Sequence, residues 1–268
     1  MAIQAERDRR ATALVTPFMR SLGLYAVEMG VFLVFFAAYF VLRGLPDDRV
    51  ALSTANARAI IDFERAVGIY HEAGWQAAVI DNPRLISLAN FTYRYLHLPL
   101  LLVVGYAFFH TDVHKYRVLR NAILLSGAIG VFFYVFYPVT PPRLLASAGF
   151  DQGFVDTLLG ERRPRPGMFS NDYAAVPSYH FGWIVLAAFG ACWCWTSPVV
   201  RIVAVLFAGL MWWSIVVTGN HYFIDMVIGA AIVAAAFALS MRWERWAQAH
   251  PGRISSWTLS VGGHRLPF

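Results

Sequence analysis

The sequence predicts an all-α, polytopic integral membrane protein, on three observations. Hydrophobic residues make up 58% of the 268 positions and charged residues only 14%, well below the charged share of an ordinary soluble domain. Six apolar runs approach the roughly 20 residues that a helix needs to cross about 30 Å of hydrocarbon. The runs are too long and too uniformly apolar for barrel strands, and only helices or closed barrels satisfy their own backbone in lipid.

Taken in order, the runs lie at about 22–42, 85–109, 118–138, 178–197, 199–217 and 221–241, and six transmembrane helices in one bundle are expected. The first run starts too far into the chain, and is too long, for a cleaved signal peptide, so it is expected to stay in the mature protein. After it, residues 44–84 mix Asp62, Glu64, Arg65 and Glu72 with apolar side chains, as amphipathic helices on the outer surface do. Residues 139–176 form a loop rich in Pro, Gly and Arg. Without a repeat or a low-complexity tract to divide it, the chain 1–268 is expected to be a single membrane domain with its catalytic core at about 118–241.

The formal net charge is +6, but the cations cluster between apolar runs instead of lining one soluble face, which excludes nucleic acid as a partner. Arg7, Arg9, Arg10 and Arg20 precede the first run, His114, Lys115, Arg117 and Arg120 separate the second from the third, and Arg242 and Arg245 follow the sixth. In a six-span order all these fall on one side. The positive-inside bias makes that side cytoplasmic, with both termini on it. The absence of a targeting tail favours a bacterial plasma membrane, the opposite face then being periplasmic or extracellular; in a eukaryote that face is a lumen. Cys192 and Cys194 lie one residue apart in an apolar run, in no disulfide or zinc pattern, and are expected to serve packing.

Three polar clusters then meet at the outer surface: Pro141-Pro142-Arg143 after the third run, Pro177-Ser178-Tyr179-His180 opening the fourth, and Asn220 to Asp225 opening the sixth. His221 and Asp225 are four apart, so one helix face brings a carboxylate to an imidazole and prepares a nucleophile or base. Pro177 suits a first helical turn and Asn220 a helix cap. Spans four and six would thus present amides and positive dipole ends to one anion site. A histidine at a helix end is more commonly an interfacial hydrogen-bonding residue; it is the convergence of three clusters, with Asp225 a full turn inside an apolar span, that points to chemistry.

Other polar residues inside spans are also costly. Glu28 is expected to have a structural partner, while Arg94 and His97, three apart, fit either the lining of a lipid entry path or a polar link between helices. A zinc site on His180, His221 and Asp225, and a transporter or haem carrier, are the competing classes; transport favours repeats and broken helices, and haem favours histidines deep in facing helices.

The residues carry a resemblance. YPVTPPRLL at 137–145, NDYAAVPSYHFGW at 171–183 and TGNHYFIDMVIG at 218–229 look like the three signature motifs of the type 2 phosphatidic acid phosphatase superfamily. DFERAVGIYHEAGWQ at 62–76 looks like its inositol phosphorylceramide synthase branch. The resemblance implies that His221 attacks phosphorus to form a phosphohistidine while Asp225 holds its ring. It implies that His180 protonates the leaving oxygen and then deprotonates the acceptor, water or an alcohol. Arg143, Ser178, Asn220 and helix N-terminal amides would hold the phosphate oxygens, without metal or cofactor. Phospholipids or lipid phosphates are the implied substrates, and Tyr179, Arg94 and His97 are candidate headgroup contacts.

Two departures set the charge of this site. Phe136 and Ile215 stand where the broader superfamily pattern has Lys and Arg. A phosphomonoester carries about 1.5 to 2 negative charges near neutrality and a diester one, so the sequence leans toward a diester donor and headgroup transfer, with lipid phosphate hydrolysis as the alternative. Arg162, Arg163 and Arg165, in the outer loop against the positive-inside trend, either supply the missing charge or bind anionic headgroups.

Overall fold

A computed structural model describes residues 26–42, 49–158 and 173–250, and the backbone of 258–261 and 264–267. The described residues are mainly helical: α1 is Ala26–Leu42, α2 Val50–Ala66, α3 Glu72–Ala77, α4 Pro83–Phe91, α5 His97–Thr111, α6 Val113–Phe136, α7 Tyr179–Cys194, α8 Pro198–Val217 and α9 Phe223–Ala249. Three of them, α6, α8 and α9, have 24, 20 and 27 residues, with apolar windows of mean hydropathy 1.7, 2.1 and 2.2, and are long and apolar enough to cross a membrane. The helices at the first and fourth expected spans, α1 and α7, are shorter. On α8, Val199, Ile202, Val205 and Leu206 all face outward, an apolar surface that suits lipid and not water.

Local sequence sets the helix starts. Asp112 accepts hydrogen bonds from the backbone N–H groups of His114 and Lys115, both at 3.1 Å, and so caps α6. Asn82 caps α4 in the same way, with Pro83 at the first helical position. A π-helical turn, Thr92–Leu96, joins α4 to α5. Pro99 follows it and cannot donate to the carbonyl four residues back, which is a sufficient reason for the ladder to slip there.

The bundle is built around α7, which packs on α5, α8 and α9, while α6 packs on α9. Tyr179 and Trp183 of α7 stack with ring centroids 5.0 Å apart, and α1 lays Phe36 and Tyr39 against Trp183. A small residue lets two helices approach: a Cβ on Gly229 would lie 2.4 Å from the Ser178 carbonyl oxygen, so only glycine admits this crossing of α7 and α9. Glu28 has its structural partner in Arg120 of α6, whose Nη1 lies 2.6 and 2.8 Å from the two carboxylate oxygens. Cys192 and Cys194 are free thiols, and Cys194 packs against the main apolar core.

One feature departs from an all-helical chain. Thr258–Val261 and His264–Pro267 pair as an antiparallel hairpin, from Thr258 opposite Pro267 to Val261 opposite His264.

Candidate active site

The turn before α9 brings the first two polar clusters to the third. Gly219 has φ +65°, in the left-handed region where glycine is favoured, and its carbonyl accepts from the Arg143 backbone N–H at 2.8 Å. The loop carrying Arg143 is thereby tied to the strand of chain that leads into His221. A cavity of about 160 Å³ opens at this junction, lined by His180, His221, Arg143, Asn220, Tyr93 and His97, and by the aromatic side chains of α1 and α7.

The two key histidines converge there. Their ring centroids are 5.8 Å apart. His221 is buried, and its Nδ1 lies 2.7 Å from the Ala175 carbonyl oxygen and 3.4 Å from Asp225 Oδ2. Both neighbours are acceptors, so Nδ1 carries the proton and Nε2 keeps the lone pair that a nucleophile needs. Asp225 is fully buried, and its Oδ2 also accepts from the Tyr222 backbone N–H at 2.9 Å. His180 is bracketed by Tyr93 and His97 of the π-turned segment, at centroid distances of 4.3 and 4.4 Å.

Arg143 is positioned from two sides. Its Nε donates to Asn220 Oδ1 at 2.9 Å, and its Nη1 pairs with Asp156 Oδ2 at 3.2 Å. Asn220 in turn donates to Thr218 Oγ1 at 2.8 Å, so its amide orientation is fixed by that chain. The Asp156 carboxylate offsets part of the only Lys or Arg charge lining the cavity among the described residues.

Several expected roles are placed differently. Asn220 is not the cap of α9; Tyr222 occupies that position. The first amides of α9 do not face the cavity as free donors: Phe223 N–H donates to Glu72 Oε1 and Ile224 N–H to Glu64 Oε1, both at 2.8 Å. The reason is that α2 and α3 bring buried carboxylates over that helix end, and these satisfy its orphan donors first. Pro177 lies before α7, with Ser178 at the cap position and Tyr179 the first helical residue, so Pro177 does not form the first turn. Ser178 is fully buried and lies off the cavity lining, with no hydrogen-bond partner for its Oγ among the described residues. Tyr179 lines the cavity, but its hydroxyl donates to the Ser126 carbonyl oxygen. Arg94 is half-buried and does not line the cavity, whereas His97 does. Arg162, Arg163 and Arg165 lie outside the described residues. His180, His221 and Asp225 do not form a metal-holding group; none of three or more His, Cys, Asp or Glu side chains occurs among the described residues.

Sequence reasoning missed four features of this site. Tyr93 sits beside Arg94 with nothing in the pattern to single it out. Asp156 is one acidic residue in a long loop, and the Ala175 carbonyl is invisible in a list of side chains. Glu64 and Glu72 were read only as the polar part of amphipathic helices, yet both are fully buried. Burial, reinforced by the neighbouring Glu72 carboxyl, pushes the Glu64 carboxyl up from 4.5 to about 9.

The chain belongs to the PAP2 superfamily, whose family model matches residues 58–239. Within it, the chain is similar to inositol phosphorylceramide synthase of Candida albicans, 29% identical over 124 residues, or 41% of this chain and 26% of that protein. It is also similar to the inositol phosphorylceramide synthase catalytic subunit AUR1 of Saccharomyces cerevisiae, 28% identical over 123 residues, or 40% of this chain and 30% of that one. The matched stretch thus spans less than a third of either relative. No solved structure matches the chain.

Proposed function

We propose that this protein is an integral-membrane lipid phosphotransferase that moves a phospho-headgroup, such as phosphoinositol, from a phospholipid donor to an alcohol or lipid acceptor. The observation that carries the reading is the approach of the His180 and His221 rings to 5.8 Å in a cavity whose one lining guanidinium, among the described residues, is partly neutralised by Asp156. A singly charged diester suits so modest a positive field better than a monoester does. Membership of the superfamily and likeness to two inositol phosphorylceramide synthases support the same class of reaction.

In this reading His221 Nε2 attacks phosphorus, and the P–O bond to the diacylglycerol oxygen breaks. His180, protonated, gives that oxygen its proton, so the neutral alcohol departs and a phosphohistidine remains. His180, now neutral, takes the proton of the acceptor hydroxyl, whose oxygen attacks phosphorus and restores His221. Arg143, fixed by Asn220 and Asp156, meets the charge on the non-bridging oxygens. Ala175 and Asp225 keep Nδ1 protonated and stabilise the positive ring of the intermediate. The six-span bundle over 1–268, its cytoplasmic termini and an outward-facing site complete the reading, on the positive-inside distribution of Arg and Lys.

The test uses the purified full chain with headgroup-labelled phosphatidylinositol, with and without alcohol acceptors. Acceptor-dependent transfer of label supports the proposal. Release of inorganic phosphate from phosphatidate or polyprenyl phosphate, without diester turnover, overturns it in favour of a lipid phosphate phosphatase.

A further inference from the structure

The segment 62–76 contributes two carboxyl groups that the mechanism above does not use. Glu64, near the end of α2, and Glu72, at the start of α3, are fully buried. Each spends one oxygen on α9, Glu72 Oε1 accepting from Phe223 N–H and Glu64 Oε1 from Ile224 N–H, both at 2.8 Å. Their other oxygens, Glu64 Oε2 and Glu72 Oε2, are buried with no hydrogen-bond partner among the described residues. Burial and the neighbouring Glu72 carboxyl favour the protonated form of Glu64. The next residue to make such a contact is Asp225 itself, which accepts from Tyr222 N–H. Three successive amides, 222 to 224, are thus held by three carboxyl groups, and the residue immediately before them is His221.

We propose that Glu64 and Glu72 are positioning residues for the reaction of this site: a buried carboxyl pair that caps α9 from outside the helix and fixes where His221 stands relative to His180. The role assigned to His221 rests on the functional reading above. Ionisation of Glu64 adds a negative charge beside Glu72 and Asp225, and the repulsion disfavours the capped arrangement. The other ionisable groups close to Glu64 are Tyr70, from the turn after α2, and Tyr222 and Asp225, from the start of α9. None of these three is a cation.

The direction of the pH effect follows from the raised Glu64 carboxyl. Between pH 4.5 and about 9 the folded protein holds a proton that the unfolded chain has released. The stability contributed by the protonated form is therefore complete below 4.5 and lost as pH rises toward about 9. Glu64→Gln keeps the Ile224 bond through its side-chain carbonyl, and it removes the titration.

The experiment combines two measurements on the full chain in detergent. The first is kinetic: Glu64→Ala is expected to lower kcat by about 10²-fold, the cost of a misplacement near 1 Å, with KM little changed, and Glu64→Gln to restore most of it while moving the alkaline limb of the pH profile upward. The second needs no substrate: Glu64→Gln flattens the fall of the unfolding temperature with rising pH, and Glu64→Ala speeds amide exchange at Phe223 and Ile224. An unchanged pH slope in Glu64→Gln, or unchanged exchange at those amides in Glu64→Ala, overturns the positioning proposal. An intact protein without phosphoryl transfer overturns the functional reading instead, and the second measurement still decides on the pair.

Discussion

The backbone carbonyl of Ala175 lies 2.7 Å from the Nδ1 of His221, closer than the Asp225 carboxylate on the same ring nitrogen at 3.4 Å. A histidine and an aspartate four apart in sequence suggest a simple dyad, yet the firmer hold on the ring comes from the loop before α7. Imidazole orientation is therefore shared between the helix that bears it and the segment leading to the second histidine. Movement of either partner is transmitted to both.

The two histidines are expected to fail differently. His221→Ala removes the proposed nucleophile and should abolish both headgroup release and transfer. His180→Ala should lower the rate by about 10²–10⁴-fold, the range of a lost acid–base group, while still allowing label from the donor to reach His221. Acid-labile, base-stable protein-bound label in the His180 variant, and none in the His221 variant, is the outcome to measure.

Asp225→Asn is expected to be milder than His221→Ala, because the Ala175 carbonyl still fixes the Nδ1–H tautomer. The loss should fall on kcat, since the carboxylate matters most when the ring is positive. Measuring kcat and KM separately for headgroup release checks this.

Asp156→Asn removes the charge that pairs with Arg143 at 3.2 Å and leaves the Asn220 contact in place. The cavity becomes more positive, so phosphomonoesters should gain relative to diesters. A shift of about tenfold in the ratio of their kcat/KM values corresponds to about 1.4 kcal/mol, and competition between phosphatidate and phosphatidylinositol reads it out.

Gly229→Ala places a Cβ 2.4 Å from the Ser178 carbonyl oxygen. Overpacking of this kind costs about 1–3 kcal/mol, and here the strain falls between the helices that carry His180 and His221. Activity should drop more steeply than the unfolding temperature, which parallel assays and thermal melts compare.

Arg120→Ala leaves Glu28 without its guanidinium in a largely buried setting, where losing one partner of an ion pair costs about 3–5 kcal/mol. Replacing both residues by glutamine should recover much of that loss. Thermal unfolding in detergent of the single and double variants measures it.

Much of this architecture was legible because lipid imposes simple rules. Apolar runs of spanning length located α6, α8 and α9, and the polar groups they could not hide, His221 and Asp225 above all, marked the site. The second expected span appears as α4, a π turn and α5, and the π turn carries the Tyr93 that flanks His180, a local feature that hydropathy does not register. The partners that tune the site were harder to read. Ala175 acts through its backbone, Asp156 is an isolated acid in a loop, and Glu64 and Glu72 look like a solvated face until folding buries them. The expected anion site at the start of α9 failed for that same reason, because amides 223 and 224 are claimed by side chains from more than 150 positions earlier.

The aromatic wall that α1 adds to the cavity, Phe36, Tyr39 and Phe40, lies before residue 58, where the family model begins to match. The two histidines and this aromatic wall thus sit on different lengths of polypeptide. Under the proposed reading, a cousin that exchanges its opening helix keeps the reaction and changes its clientele, and grafting that helix between cousins becomes a direct way to swap their choice of lipid.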